Sequence, residues 1–159
     1  MATKNNNLSL FNLEDVPNSE GMRIAIIVSE WNSHITENLF LGVEETLLSS
    51  GVKQTDIVRI DVPGSFELIF GAKVAAKYHY DAIICLGSVI KGETDHFDFV
   101  CNAVSLGIKD LNIHLDIPVI FGVLTDNVEQ QSIDRSGGKY GNKGVEAAIT
   151  ALKMAHLNK

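Results

Sequence analysis

Short apolar runs rich in β-branched residues alternate with helical patterns along this chain, and this alternation constrains the fold more than any other feature. The runs predict four strands, at residues 22–28, 57–62, 81–86 and 117–124. Their apolar character is nearly continuous rather than alternating, which is typical of strands that are covered on both faces. We therefore expect a sheet that lies between two other layers of structure.

Helical patterns separate the predicted strands. In residues 35–47 apolar side chains recur at four-residue spacing, with Ser33 as a candidate N-cap and Gly51 as a candidate C-terminal stop. Similar patterns predict helices at residues 66–77, 100–108 and 145–156. Strands that alternate with helices form right-handed βαβ crossovers, so the predicted fold is α/β, with a parallel sheet between helical layers.

Length and charge predict one globular domain without nucleic acid or membrane as partners. With 159 residues the chain can bury one core, and we expect a single domain over residues 1–159, of which residues 1–20 form an N-terminal arm. A net charge of −7 disfavours a nucleic-acid-binding surface. No apolar run approaches the roughly 18 residues of a membrane span, and the first residues lack the apolar segment of a signal peptide. These features favour a cytoplasmic protein.

The cysteines do not indicate a disulfide or a metal site. Cys85 and Cys101 both lie in apolar segments, which favours core thiols in a reducing compartment. No Cys and His residues occur at a metal-binding spacing, so no metal is expected.

Polar, aromatic and glycine residues follow each predicted strand. The four strand ends read "SEWN", "VPGSFE", "GSVIKGETDH" and "FGVLTDN". Ligands of open parallel sheets bind beyond the carboxyl ends of the strands. We therefore expect a binding site along this edge of the sheet.

Two glycine-containing segments are candidate anion sites. Gly92 can adopt a positive φ, so that the amides of Glu93 and Thr94 point outward at the start of a helix. The segment "DRSGGKYGNKG" carries Arg135, which can bind a phosphate through two nitrogens, but it does not match a nucleotide P-loop. A plain turn and a solvated connection remain the alternatives for these two segments.

His96 is the candidate acid or base at the same edge. A histidine near an anion site suits proton transfer near neutral pH, although a first-turn helix residue without a task is the alternative. Trp31 is the only tryptophan and can stack on a flat ligand, as can Phe66 and Phe121, for which core packing is the default. Glu67 can bind the hydroxyls of a polyol, or it can simply favour a helix N-terminus.

The motifs "EWN", "VPGSFE", "GSVIKGETDHFDFVCN", "PVIFGVLT" and "GNKG" together resemble the lumazine synthase family of riboflavin biosynthesis, over about residues 22–159. The resemblance implies a flavodoxin-like three-layer α/β/α sandwich with a four-stranded parallel sheet. It also implies the condensation of 5-amino-6-(D-ribitylamino)uracil with 3,4-dihydroxy-2-butanone 4-phosphate. The products are 6,7-dimethyl-8-ribityllumazine, phosphate and water, and no cofactor takes part.

The resemblance assigns roles to particular residues of this chain. His96 corresponds to the family's proton-transfer residue. The implied contacts to ribitylaminouracil are Trp31, Ser65, Phe66, Glu67, Ser88, Val89, Ile90 and Phe121. The implied contacts to the butanone phosphate are Glu93, Thr94 and Arg135, while Asn32 and Lys143 line the site. Trp31 stands where phenylalanine is usual, and Glu93 stands where a small residue is usual.

The resemblance also implies an assembly. Family members place the site between neighbouring subunits of a pentamer, and some build a shell of 60 subunits. The short connection "DRSGGKYGNKG" favours the shell, and the mildly apolar residues 8–16 are candidates to add a strand to a neighbour's sheet. Riboflavin synthase is a further implied partner.

Four alternatives remain open at this point. The first is the archaeal type of riboflavin synthase, which shares this ancestry, and the second is a non-catalytic module that binds flavin or lumazine. The third is a shell protein without catalysis, which the presence of His96, Arg135 and Lys143 disfavours. The fourth is a signalling receiver domain, which needs an acidic pair after the first strand, whereas "SEWN" contains a single acid.

Overall fold

A four-stranded parallel sheet lies at the centre of the protein. The computed structural model describes Asn7, residues 9–10 and residues 16–157. In chain order its elements are β1 (Ile24–Ser29), α1 (Ser33–Ser49), a 3-10 helix (Gln54–Asp56), β2 (Ile57–Val62), α2 (Leu68–Ala75), β3 (Ala82–Ile90), α3 (His96–His114), β4 (Val119–Asp126), α4 (Glu129–Arg135), β5 (Ser136–Gly138), β6 (Gly141–Asn142) and α5 (Lys143–Leu157). The strand order in the main sheet is β2-β1-β3-β4, and β5 and β6 form a separate antiparallel hairpin.

Each face of the sheet packs against two helices. Ile24 and Ile26 of β1 belong to the core that contains α1 and α5, whereas Ala25 and Ile27 belong to the core that contains α2 and α3. All six residues of β1 are buried. The continuous apolarity of the strands therefore follows from burial on both faces, and the predicted three-layer α/β/α fold is confirmed.

The two ends of α1 show how local sequence sets an element boundary. Gly51 has a φ of +97°, and Val52 N–H donates to Leu47 O over 3.1 Å, so the helix ends in a Schellman motif as expected from a glycine. The expected N-cap was wrong by one residue. Ser33 is the first helical residue, and Asn32 precedes it with a left-handed φ of 59°. Asparagine tolerates this conformation better than most residues.

Several other boundaries differ from the sequence predictions. β3 continues to Ile90 instead of ending at residue 86, because its last residues pair with β4 as far as Asp126. The helix predicted over residues 66–77 is shorter, Leu68–Ala75. The helix α4 and the β5-β6 hairpin were not predicted, since the glycine-rich segment around them carries no apolar periodicity.

Most of the predicted arm, residues 1–6, 8 and 11–15, lies outside the described residues. Of the rest, Ser9 contacts the hairpin of its own chain, where its Oγ accepts a hydrogen bond from Asn142 N–H over 2.8 Å. Within the described part of the chain, no helix is both long enough and apolar enough to cross a bilayer.

Candidate active site

A cavity of about 740 Å³ opens at the carboxyl ends of β1, β2 and β3. We call it the rim cavity, and it is lined by Trp31, Asn32, Pro63, Gly64, Ser65, Phe66, Glu67, Ser88, Val89, Ile90, Gly92, Thr94, His96, Phe97 and Val100. Its volume lies in the range of pockets that hold small organic ligands. Most of the predicted substrate contacts are therefore neighbours in space.

The sheet explains why residues so distant in sequence meet here. The segment 31–32 lies just after β1, the segment 63–67 follows β2, and residues 88–90 are the last of β3. Parallel strands end at the same edge of the sheet, so the three segments converge. The first turn of α3 forms the remaining wall.

Two large aromatic side chains stand at the cavity without being buried. Trp31 is 71% exposed and Phe66 is 54% exposed. Exposed apolar surface of this size is typical of a site that binds a ligand or another protein. The flat faces of these rings suit stacking with a planar heterocycle.

The floor of the rim cavity consists of small buried polar groups. Ser65 is 7% exposed and Ser88 is 1% exposed. Gly87 lies beside them, and a Cβ added there would lie 2.6 Å from Ser65 Oγ, so only glycine allows this close approach. Asn32 Nδ2 donates to Ser88 O over 3.0 Å and connects β1 to β3. Next to the floor, a Cβ added at Gly64 would lie 2.9 Å from a carboxylate oxygen of Glu67.

The turn before α3 forms without a glycine in the left-handed conformation. Gly92 can adopt a positive φ, but it does not have one here. The chain leaves β3 in a conformation that other residues can also adopt, and a Cβ added at Gly92 would meet no atom within 4 Å. Thr94 lines the rim cavity, whereas Glu93 is exposed and does not line it.

His96 is the first residue of α3, and its exposed side chain lines the rim cavity. Among the described residues, no group forms a hydrogen bond with its imidazole. Both ring nitrogens therefore remain available to a ligand in the cavity. This arrangement suits an acid or base that acts on a substrate rather than on the protein.

Besides Glu93, three other predicted site residues do not line the rim cavity. Phe121 and Lys143 line a second cavity of about 330 Å³, which we call the side cavity, and Lys143 Nζ forms an ion pair of 2.6 Å with Glu146. Arg135 lines neither cavity, and its guanidinium lies 5.2 Å from the ring centroid of Tyr140. A single chain thus does not bring the whole predicted set together.

Some lining residues were not predicted. Pro63 and Gly64 belong to the quoted "VPGSFE" segment, but no role was inferred for them. Val100 lies one helical turn after His96 on the same face of α3, so helical spacing from His96 was the signal that would have found it, and Phe97 follows His96 directly in the chain.

The cysteine thiols lie outside the rim cavity. Cys85 is fully buried, and this burial raises the pKa of its thiol to about 12. Burial, followed by the nearby charge of Asp98, also raises the pKa of Cys101. In the described part of the chain, no group of three or more His, Cys, Asp or Glu side chains is arranged to hold a metal ion.

A known family matches almost the whole chain. The family model described as 6,7-dimethyl-8-ribityllumazine synthase matches residues 21–159. A protein of that name from Flavobacterium psychrophilum is 58% identical over 158 residues, which cover 99% of this chain and 84% of the relative. The proteins of the same name from Christiangramia forsetii and Parabacteroides distasonis are 56% and 53% identical, covering 100% and 99% of this chain and 96% and 99% of their own lengths. The chain therefore belongs to the 6,7-dimethyl-8-ribityllumazine synthase family.

Proposed function

We propose that this chain catalyses the condensation of 5-amino-6-(D-ribitylamino)uracil with 3,4-dihydroxy-2-butanone 4-phosphate. The products are 6,7-dimethyl-8-ribityllumazine, inorganic phosphate and water, and the reaction is the penultimate step of riboflavin biosynthesis. The observation that carries the proposal is the rim cavity, in which exposed aromatic rings, buried serines and one imidazole lie together in a chain of this family.

The rim cavity suits the ribitylaminouracil. Its planar ring stacks on Trp31, and the apolar edge of Phe66 covers it. The polar groups of Ser65 and Ser88 lie on the floor, where they bind the edge of the heterocycle, and Glu67 accepts hydrogen bonds from the ribityl hydroxyls. Backbone groups of Val89 and Ile90 complete this wall.

The second substrate binds where the turn before α3 meets the cavity. Thr94 and the backbone of Glu93 donate hydrogen bonds to the phosphate, and Arg135 supplies a positive charge. Holding the ketone over the substrate amine removes much of the entropic cost of a bimolecular reaction, which is on the order of 7 kcal/mol or more for well-oriented partners.

His96 transfers protons during the reaction. The amine of the uracil attacks the ketone, and water leaves to give an imine. Phosphate is then eliminated, and the ribitylamino nitrogen attacks the resulting carbonyl carbon, which closes the ring with loss of a second water. Each of these steps moves a proton, and an imidazole at the cavity wall can take it up and return it. The nucleophile belongs to the substrate, so the protein needs no covalent intermediate.

We propose that the complete site forms between two copies of this chain. Phe121, Arg135 and Lys143 do not line the rim cavity of their own chain, which leaves them to serve the rim cavity of a neighbour. Exposed large side chains on the α2 and α3 side support an interface between copies. They include Phe70, Phe99, Leu106 and Ile113, each more than half exposed.

We also propose that copies of this chain assemble beyond a pair. We expect a pentamer, and 60 subunits in a closed shell, with residues 1–20 contributing to contacts between copies. Sedimentation velocity at neutral pH tests this, since a lone pentamer would contradict the shell. Association with riboflavin synthase and a cytoplasmic location remain predictions, and co-purification and cell fractionation test them.

Incubation with both precursors tests the proposed function. We expect lumazine to appear, identified by its own absorbance and by chromatography, while riboflavin does not. Formation of riboflavin from added lumazine would instead indicate a riboflavin synthase. Tight binding of lumazine without any turnover would indicate a non-catalytic module.

A further inference from the structure

A buried chain of polar side chains runs from the floor of the rim cavity into the protein. Ser88 Oγ lies 3.3 Å from Ser132 Oγ, and Ser132 Oγ donates to Asp126 Oδ2 over 2.8 Å. The exposed fractions of Ser88, Ser132 and Asp126 are 1%, 0% and 9%. Burial of three polar side chains costs free energy unless they form hydrogen bonds with one another. These hydrogen bonds therefore fix the orientation of the three side chains.

The row of buried polar side chains ends at the carboxylate of Asp126, which faces a positive charge. Its Oδ1 lies 3.9 Å from Arg135 Nη1, and Asp126 itself sits at the last position of β4. The backbone oxygen of Asp126 accepts a hydrogen bond of 3.0 Å from Lys91 N–H, in the segment that leads to the turn before α3. Asp126 therefore contacts both Arg135 and the segment that leads to the turn before α3. In the proposed assembly these two elements serve the rim cavities of different copies, and the contact with Arg135 carries the inference.

Arg135 is held on one side only. Its Nη1 donates to Gln131 O over 2.9 Å, and its guanidinium lies over the ring of Tyr140. Among the residues that the structure describes, none accepts a hydrogen bond from Nε or Nη2. The side chain is 36% exposed, so these nitrogens are open to an anion.

We propose that Asp126, oriented by Ser132, is a positioning residue that fixes the Arg135 guanidinium for the phosphate of the butanone substrate. This inference rests on the proposed function of Arg135. The carboxylate holds Nη1 by charge, and the hydroxyl of Ser132 fixes the rotamer of the carboxylate. A guanidinium that is ordered before the substrate arrives loses less conformational entropy on binding.

Two opposite effects make the proposal testable. If the main effect of Asp126 is to position Arg135, removal of its charge weakens phosphate binding. If Asp126 acts mainly as a negative charge near the phosphate, its removal strengthens phosphate binding through reduced repulsion. The variant Asp126→Asn separates these effects, because its amide oxygen can still accept the Ser132 hydrogen bond.

The experiment measures KM for each substrate and the competitive inhibition constant of inorganic phosphate. For Asp126→Asn we expect both the KM of the butanone phosphate and the inhibition constant to rise roughly three- to tenfold, with the KM of the uracil nearly unchanged. Ser132→Ala should change the same two constants in the same direction by about twofold. Asp134→Asn is the matched control, since it removes a negative charge from α4, the helix that carries Arg135, and the Asp134 side chain binds Gln130 instead of Arg135.

A double-mutant cycle with Arg135→Ala completes the test. In that background Asp126→Asn should have no further effect on phosphate binding, because the group it positions is gone. Any of three results would overturn the inference. The first is a lower inhibition constant of phosphate in Asp126→Asn, and the second is an equal change in the KM of both substrates. The third is an effect of Asp126→Asn on phosphate binding that is the same with and without Arg135. Titration calorimetry with inorganic phosphate compares phosphate binding by the same variants without turnover. If the wild-type protein forms no lumazine, that result contradicts the proposed function, whereas the calorimetry still tests the role of Asp126.

Discussion

Asn32 donates a hydrogen bond from Nδ2 to the backbone oxygen of Ser88 over 3.0 Å, and so connects the ends of β1 and β3 beneath the rim cavity. Asn32 does so from a left-handed backbone conformation, with φ 59°. Asn32 is the last residue of the short turn between β1, which ends at Ser29, and α1, which begins at Ser33.

Replacement of Asn32 separates its two contributions to stability. Asn32→Gly loses the hydrogen bond but adopts the left-handed conformation freely, whereas Asn32→Ala loses the bond and also pays about 1 kcal/mol or more of backbone strain. We expect the thermal midpoint to fall in the order wild type, Asn32→Gly, Asn32→Ala. Equal midpoints for the two variants would show that the backbone conformation carries no cost.

Trp31 allows ligand binding to be observed directly, because it is the only tryptophan in the chain. The fluorescence of its exposed indole ring should be quenched when the ribitylaminouracil stacks on it. Trp31→Ala should raise the KM for this substrate roughly tenfold, while Trp31→Phe keeps a flat face and should stay within about threefold of the wild type. Equally tight binding of the uracil by the alanine and phenylalanine variants would contradict stacking on the side chain at position 31.

Loss of the His96 imidazole should affect turnover much more than binding. We expect His96→Gln to lower kcat by about 10²-fold or more, with the KM of the uracil changed little. His114→Gln is the control, since His114 lies at the other end of α3 and contacts Asp110 O. A rate that falls equally in both variants would point to damage to the helix instead of loss of proton transfer.

An ion pair between α1 and β2 predicts a pH-dependent contribution to stability. Arg59 donates to both carboxylate oxygens of Glu37, and this hydrogen bond lowers the pKa of Glu37 below its ordinary value of 4.5 in spite of partial desolvation. A lowered pKa in the folded state means that the pair stabilises the protein above pH 4.5 and loses this contribution as pH falls through the folded pKa. Because both side chains are partly exposed, we expect less than about 1 kcal/mol.

Thermal unfolding of Glu37→Gln checks this expectation. The variant should melt below the wild type at pH 7, and the two curves should converge in strongly acidic buffer. In an Arg59→Gln background the same substitution should produce no such pH-dependent gap. A gap that widens with acidity would mean that the sign of the pKa shift is wrong.

The local pattern of the sequence was sufficient to predict the sheet and its helical layers. Burial on two faces gives continuous apolar strands, and burial on one face gives helical periodicity, so both signals are local. The extension of β3 to Ile90 was not predictable in this way, because it depends on pairing with β4. The hairpin after α4 was missed because glycine-rich segments carry no periodicity.

The site was predictable to the extent that it follows from strand ends and from the family resemblance. These signals named Trp31, Ser65 and Ser88, which do share one cavity. The positive φ that the sequence allows at Gly92 is not adopted, since the presence of a glycine permits that conformation without requiring it. The contact between Asp126 and Arg135 depends on how α4 packs on the end of β4, and no spacing in the sequence encodes it.

In the proposed reaction this chain joins a heterocyclic amine to a phosphorylated ketone without the help of a cofactor. The most direct measurement is the simultaneous release of lumazine and inorganic phosphate by the purified protein, with only the two substrates and a chelator present. We expect the two products to form in equal amounts at equal rates. Phosphate release without lumazine, or unchanged substrates after prolonged incubation, would show that the chain does not catalyse this reaction.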